Sequence, residues 1–474
     1  ARPPPPRRLR RRAPAALAPA KSAGGAEISK VTGTLLLLVL LLPAIPACGE
    51  DEPPVDERRA LFDKAVLILD EAREKLARKD PEGARIDLLR SEELALGALR
   101  AGGGQPKVQV LNLLANICAE IGLMIRPYLI RAMRFATRAV DEDPNQPLSY
   151  FNLGVCFGAL GFNLDAVRAY ERVLGSDLPL EVRAAAANNT RVMLLDETKR
   201  TLTRGRPGAP AEARTLLERA YGLREAYGAM PEVDEAIASL GRYYEQATKE
   251  AIASGDPIEL AIAHAECGYF VPAREILDRA RTESGRTEEL RWAEARYLLE
   301  LEGSRESLEG AEKLYLEFIR RGERVPQALA GYGRVSRALG RPEDALARIE
   351  GLPEPTVELR ELRIRLLLDR VISLPVGEKV SSEELYKRVD ELLLGTFPEE
   401  DRADLLLAAL LTAAHRDDAD RLAKWASEFH RRYPSDPRAL LYEARLLDSR
   451  KIPLLPEEES PGSGAAAGGK GGNG

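Results

Sequence analysis

The sequence predicts an all-α fold made of stacked antiparallel helix pairs. Three observations predict it. Ala, Leu, Glu and Arg dominate the 474 residues, and these are good helix formers, whereas aromatic residues make up only 5 %. Amphipathic segments of helical spacing are broken by short turns that carry Gly or Pro, as at "KDPEG" and "GRPED". A pattern of small and large apolar residues also returns after 34 residues: Ala132, Ala136 and Ala139 precede Ala166, Tyr170 and Val173 by that interval.

The elements follow in order. Residues 1–12, "ARPPPPRRLRRR", carry six arginines among prolines and read as a disordered basic leader. The apolar run Val31–Leu42 follows Lys30 and is densest over Leu35–Leu42. That is too short for a bilayer core, which takes about 20 residues. Charge, short grease and then small residues is the order of a secretory signal. The run ends in Ile45-Pro46-Ala47-Cys48, which resembles the lipobox of bacterial lipoproteins. The resemblance implies a diacylglycerol on the Cys48 thiol and cleavage before it, so residues 1–47 are read as leader and signal peptide. Residues 48–56, "CGEDEPPVD", then read as an acidic, solvated tether.

Residues 57–100 form a helical pair, with "RAGGGQPK" as a linker after it. Residues 111–144 give a less regular pair. The stretch 149–179 is the most informative: Leu153-Gly154, Phe157, Gly161, Ala166, Tyr170 and Val173 let two helices approach at small residues and fill between them with large ones. The same places return as Tyr332-Gly333, Gly340, Ala345, Ile349 and Leu352, preceded by Ala311, Tyr315 and Phe318. Ala273, Leu277 and Ala280 mark another second helix, 38 residues before Ala311, so an irregular turn is expected around "LEGSRESLEG". Leu422, Ala426 and Phe429 give a weaker match near the C-terminus. Breaks at 203–213 and 373–384 divide the chain into blocks at 57–200, 209–370 and 382–450. Residues 459–474 form a disordered Gly-rich tail.

The pattern at 149–179 and 328–353 resembles the tetratricopeptide repeat. The resemblance implies an α-solenoid of antiparallel helix pairs whose first helices line a concave, partner-binding face. It places Leu148, Phe151, Asn152 and Val155 on that face in one repeat, and Ala330, Gly331, Arg334 and Arg337 in another. The first set suits the apolar side of a partner helix, with Asn152 holding a backbone group; the arginines suit acidic side chains.

Chemistry has little purchase. The formal net charge is −6; residues 1–47 carry eight basic and one acidic residue, or +7, so the chain from Cys48 onward carries −13. A body that acidic is a poor match for nucleic acid. Cys118, Cys156 and Cys267 lie in apolar helical patterns and read as buried thiols. The three histidines, His264, His415 and His430, form no HExxH pair. "TAAHRDDAD" reads as a solvated helix–helix turn, not a metal site, and "NNT" at 188–190 as part of a helix. "AGGGQPK" lacks the GK[ST] of a phosphate loop. No catalytic, cofactor or metal residues are assigned. The expectation is a non-catalytic lipoprotein of the cell envelope, at the outer membrane or periplasmic face, that scaffolds other envelope proteins. The alternatives are a soluble periplasmic adaptor and a docking subunit of an envelope enzyme.

Overall fold

A computed structural model describes residues 57–101, 107–204, 208–283, 287–352, 355–373, 379–394, 402–434, 436–438 and 440–442. The expected leader, the tether, Cys48 and the Gly-rich tail lie outside them. The described residues divide into two compact units, 57–156 with 440–442, and 157–438. No strand occurs among the described residues.

The first unit opens with α1 (Glu57–Ala77) and α2 (Pro81–Arg100), the pair expected on either side of "KDPEG". Asp80 caps α2 by accepting from the Gly83 N–H at 2.9 Å, and Pro81 at the first position needs no backbone partner there. Next come α3 (Lys107–Met124) and α4 (Tyr128–Glu142), packed on each other. By length and composition α3 is apolar enough to cross a membrane, but most of it is buried in this unit. Helix α5 (Pro147–Ala159) runs through the division between the units.

The second unit continues with α6 (Asn163–Leu174), α7 (Leu180–Arg204), α8 (Ala209–Gly222), the short α9 (Arg224–Tyr227) and α10 (Pro231–Ser254). Helices α7 and α8 pack directly on one another. Regular pairs follow: α11 (Pro257–Glu266) with α12 (Phe270–Glu283), then α13 (Thr287–Ala293). Helix α13 runs without interruption into a π-helical turn, Glu294–Leu299, and α14 (Glu300–Glu302). The irregularity expected at "LEGSRESLEG" therefore begins inside the preceding helix, where a wider turn takes up extra length. Beyond it lie α15 (Arg305–Arg321), α16 (Val325–Ala338), α17 (Pro342–Glu350), α18 (Val357–Ser373), α19 (Lys379–Leu393), α20 (Arg402–His415) and α21 (Ala419–Arg432).

The periodic residues are what the helices bury. Ala132, Ala136, Ala139, Ala166, Tyr170, Val173, Ala311, Tyr315, Phe318, Ala345 and Ile349 are all buried, as are Leu422, Ala426 and Phe429 of the weaker match. Each large one contributes about 1.5–3 kcal/mol of transfer free energy. Gly161 and Gly340, expected to turn the chain, sit at φ 78° and 75°, where a side chain would be strained.

Candidate functional site

In the second unit, the first helices of successive pairs touch one another: α11 meets α13 and the π turn, α16 meets α18, and α18 meets α20. The second helices fill in behind them, α12 on α11, α15 on α16 and α17 on α16. This places Arg334 and Arg337, one turn apart on α16, between neighbouring first helices.

Arg334 is the hub of a charged cluster. Its Nε donates to Glu300 Oε1 at 2.7 Å, and its Nη1 donates to Glu358 Oε1 on α18 at 2.6 Å. Glu300 also accepts from Arg296 Nη1 at 2.5 Å and from the Tyr315 hydroxyl at 2.5 Å. Trp292 meets Tyr315 and Phe318 edge-on, with ring centroids 5.8 and 5.5 Å apart, and holds the Tyr315 ring in place. Burial by itself pushes the Glu300 carboxyl up, but Arg334 and Arg296 beside it outweigh that and hold it below its ordinary value. Burial and then the Glu300 charge push the Tyr315 hydroxyl up. Arg337 makes a two-pronged bond to Asp369 on α18, with Nε to Oδ2 at 2.5 Å and Nη2 to Oδ1 at 3.2 Å. These groups accept and donate among themselves. A carboxylate held low, with donors on both oxygens, is fitted to bind charge and not to deliver a proton.

The residues expected from sequence fall into two sets. Leu148, Phe151, Asn152 and Val155 lie on the part of α5 that belongs to the first unit. Leu148 is half-buried, Phe151 only 3 % exposed and Val155 8 % exposed. Asn152 is engaged as well: its Nδ2 donates to the Asn112 carbonyl and to Asn112 Oδ1, each at 3.1 Å. Ala330 and Gly331 are buried too, and Gly331 lies against the Tyr315 ring. Arg334 and Arg337 stay partly open, with side chains 29 % and 45 % exposed. Helical spacing shows which residues share a face. It does not show which neighbouring helix will cover that face.

Glu300, Arg296, Glu358 and Asp369 carry no local mark in the sequence, because carboxylates and arginines abound in charged helices. A signal exists nonetheless. Glu300–Arg334, Asp390–Lys424 and Asp404–Arg438 are each 34 residues apart, one step of the apolar pattern. Opposite charges at that offset occupy equivalent places on adjacent pairs.

No family model matches the chain, and no curated protein matches it. Among solved structures, the chain is similar to a tetratricopeptide repeat protein from Parabacteroides merdae ATCC 43184, with 14 % identity over 74 % of this chain and 98 % of that one, and a TM-score of 0.25.

The other reactive groups are put to structural use. Cys118, Cys156 and Cys267 are buried thiols. Burial pushes the Cys156 thiol up to about 12 and the Cys118 thiol well above its usual range, which quenches their nucleophilicity. His264 Nδ1 shares a 2.9 Å hydrogen bond with the Tyr244 hydroxyl, and Tyr244 stacks on Tyr269 at 4.1 Å. Asp418, in the expected solvated turn, caps α21 by accepting from the Arg421 N–H at 3.1 Å. Among the described residues, no three His, Cys, Asp or Glu side chains are placed to hold a metal ion. Asn188 lies within α7, and its side chain accepts from Arg191 at 2.7 Å.

Proposed function

We propose that this chain is a non-catalytic scaffold that receives other proteins along the first helices of its second unit. In this reading a lipid on Cys48 holds it at a membrane of the cell envelope. The observation that carries the scaffold role is the run of first helices in mutual contact, α11 to α13 and α16 through α18 to α20. Along it, Arg337 and Asp369 form an exposed ion pair that a partner's charged groups can exchange with.

A site-specific photocrosslinker at Ala338, exposed beside Arg337, tests this in intact envelopes, with the same probe at the exposed Ile252 as comparison. Adducts specific to Ala338 are expected. The swapped pair Arg337→Asp with Asp369→Arg keeps the internal bond but reverses both charges, and is expected to abolish those adducts. Adducts that survive the swap, or are absent from the start, sink the reading.

The anchor is tested separately by labelling with radioactive palmitate. Label is expected in the wild-type protein and not in Cys48→Ser. Unlabelled wild-type protein removes the lipid and leaves the scaffold role to stand alone.

A further inference from the structure

We propose that residues 223–230, the crossing from α8 to α10, are a strap closed over Arg191, and that with the strap open Arg191 binds a side-chain carboxylate of an acidic peptide. Arg191 stands on α7 and is only 2 % exposed. Its Nη1 donates to the Gly228 carbonyl at 2.7 Å, and its Nη2 donates to the Tyr227 carbonyl at 3.4 Å. Nη2 also donates to Asn188 Oδ1 at 2.7 Å, while Nε has no hydrogen-bond partner. Arg334 and Arg296 share the Glu300 carboxylate; Arg191 faces no acid. Burial alone acts on its guanidinium and pulls it below its ordinary value. A buried cation without a counter-charge is costly.

Two backbone carbonyls stand in for the missing acid. Successive carbonyl oxygens meet the two Nη groups, as the two oxygens of one carboxylate do in a forked pair. They carry only partial charge, so a carboxylate in their place makes the stronger bonds. Among the described residues, little else ties the strap down. None of residues 223–230 is buried. Helix α9 within it is one turn long, too short to be stable by itself. Arg224 reaches Asp234 at 3.6 Å, an exposed pair of small worth. Gly222 and Gly228 lie toward its two ends, and a Cβ on either would meet nothing within 4 Å. A segment with so few buried contacts opens locally at low cost. Asn188 is itself exposed, so the guanidinium lies close beneath the surface. This goes beyond the scaffold reading and does not depend on it, since Arg191 lies outside the run of first helices from α11 to α20.

Hydrogen exchange on the full chain, read by mass spectrometry, tests the strap with two end-blocked peptides, triglutamate and triglutamine. Triglutamate is expected to speed exchange at 223–230 about tenfold, the size of one charged hydrogen bond gained by the open form, while amides of α7 and α8 keep their rates. Triglutamine is expected to change nothing. In Arg191→Gln the same segment should exchange fast with or without peptide, and the calorimetric affinity for triglutamate should fall at least about tenfold. Arg219→Gln is the control: this exposed arginine of α8 pairs with Glu171, and its loss should leave triglutamate binding as in wild type. The wild-type arms need no variant to fold. No triglutamate effect at 223–230, an equal effect of triglutamine, or undiminished binding in Arg191→Gln overturns the proposal and leaves Arg191 as a cap on α9.

Discussion

Glu300→Leu destabilises the second unit by about 3 kcal/mol, because it leaves the Arg334 and Arg296 guanidiniums and the Tyr315 hydroxyl without the carboxylate they share. The figure sits at the low end for a broken buried pair because Arg334 keeps some contact with water. Replacing both partners, Glu300→Leu with Arg334→Met, should recover most of the loss, since a packed apolar pair avoids the stranded charge. Both tryptophans, Trp292 and Trp425, lie in this unit, so urea unfolding followed by fluorescence reports it selectively. Acid gives a second readout. The Glu300 carboxyl is held below its ordinary 4.5 when folded, so its contribution is complete above that pH and drains away as pH falls toward the folded value. Asp390 and Asp436 are also held low, despite burial, by their donors, and act in the same direction. Glu300→Gln should therefore flatten the loss of stability below about pH 4.5. A loss under about 1 kcal/mol for Glu300→Leu, as at an exposed pair, removes the cluster from its structural role.

The second large effect is at Gly331. In a solvated helix, glycine to alanine gains about 1 kcal/mol. Here the new Cβ would stand 2.3 Å from Tyr315 Cζ, and that ring is pinned by Trp292 and by its bond to Glu300. A pinned ring cannot swing away as a flexible chain end would. Gly331→Ala is thus expected to cost about 1–3 kcal/mol net. In a Tyr315→Ala background the obstacle is gone, and the same substitution should become stabilising. Equal destabilisation in both backgrounds would locate the cause elsewhere than in the Tyr315 contact.

Gly331 also shows where sequence reading reaches its end. The spacing of Ala166, Tyr170 and Val173, repeated at Ala311, Tyr315 and Phe318, identifies the buried side of the second helices, because one helix period decides it. First helices are harder. They pack against their own partner and against the next first helix, so two faces are covered and the sequence shows only that both tolerate small or apolar residues. Phe151 and Val155, on such a helix, are buried. Gly331 turned out to be a seat for an aromatic ring, not part of an open floor. The carboxylate partners of Arg334 and Arg337 were not legible. Nothing local distinguishes Glu300 from the other acidic residues; only its distance of one repeat step from Arg334 does.

That step has a consequence for how such a chain tolerates changes in length. Inserting or deleting one residue inside a regular helix rotates everything after it by about 100°. Arg334 would then swing out of reach of Glu300, and Arg438 out of reach of Asp404. Insertions should survive only in the turns between helices, as whole added steps, or where the coil can widen locally, as it does at Glu294–Leu299. The charge ladder thereby acts as a ruler, checking the spacing of each pair against the next.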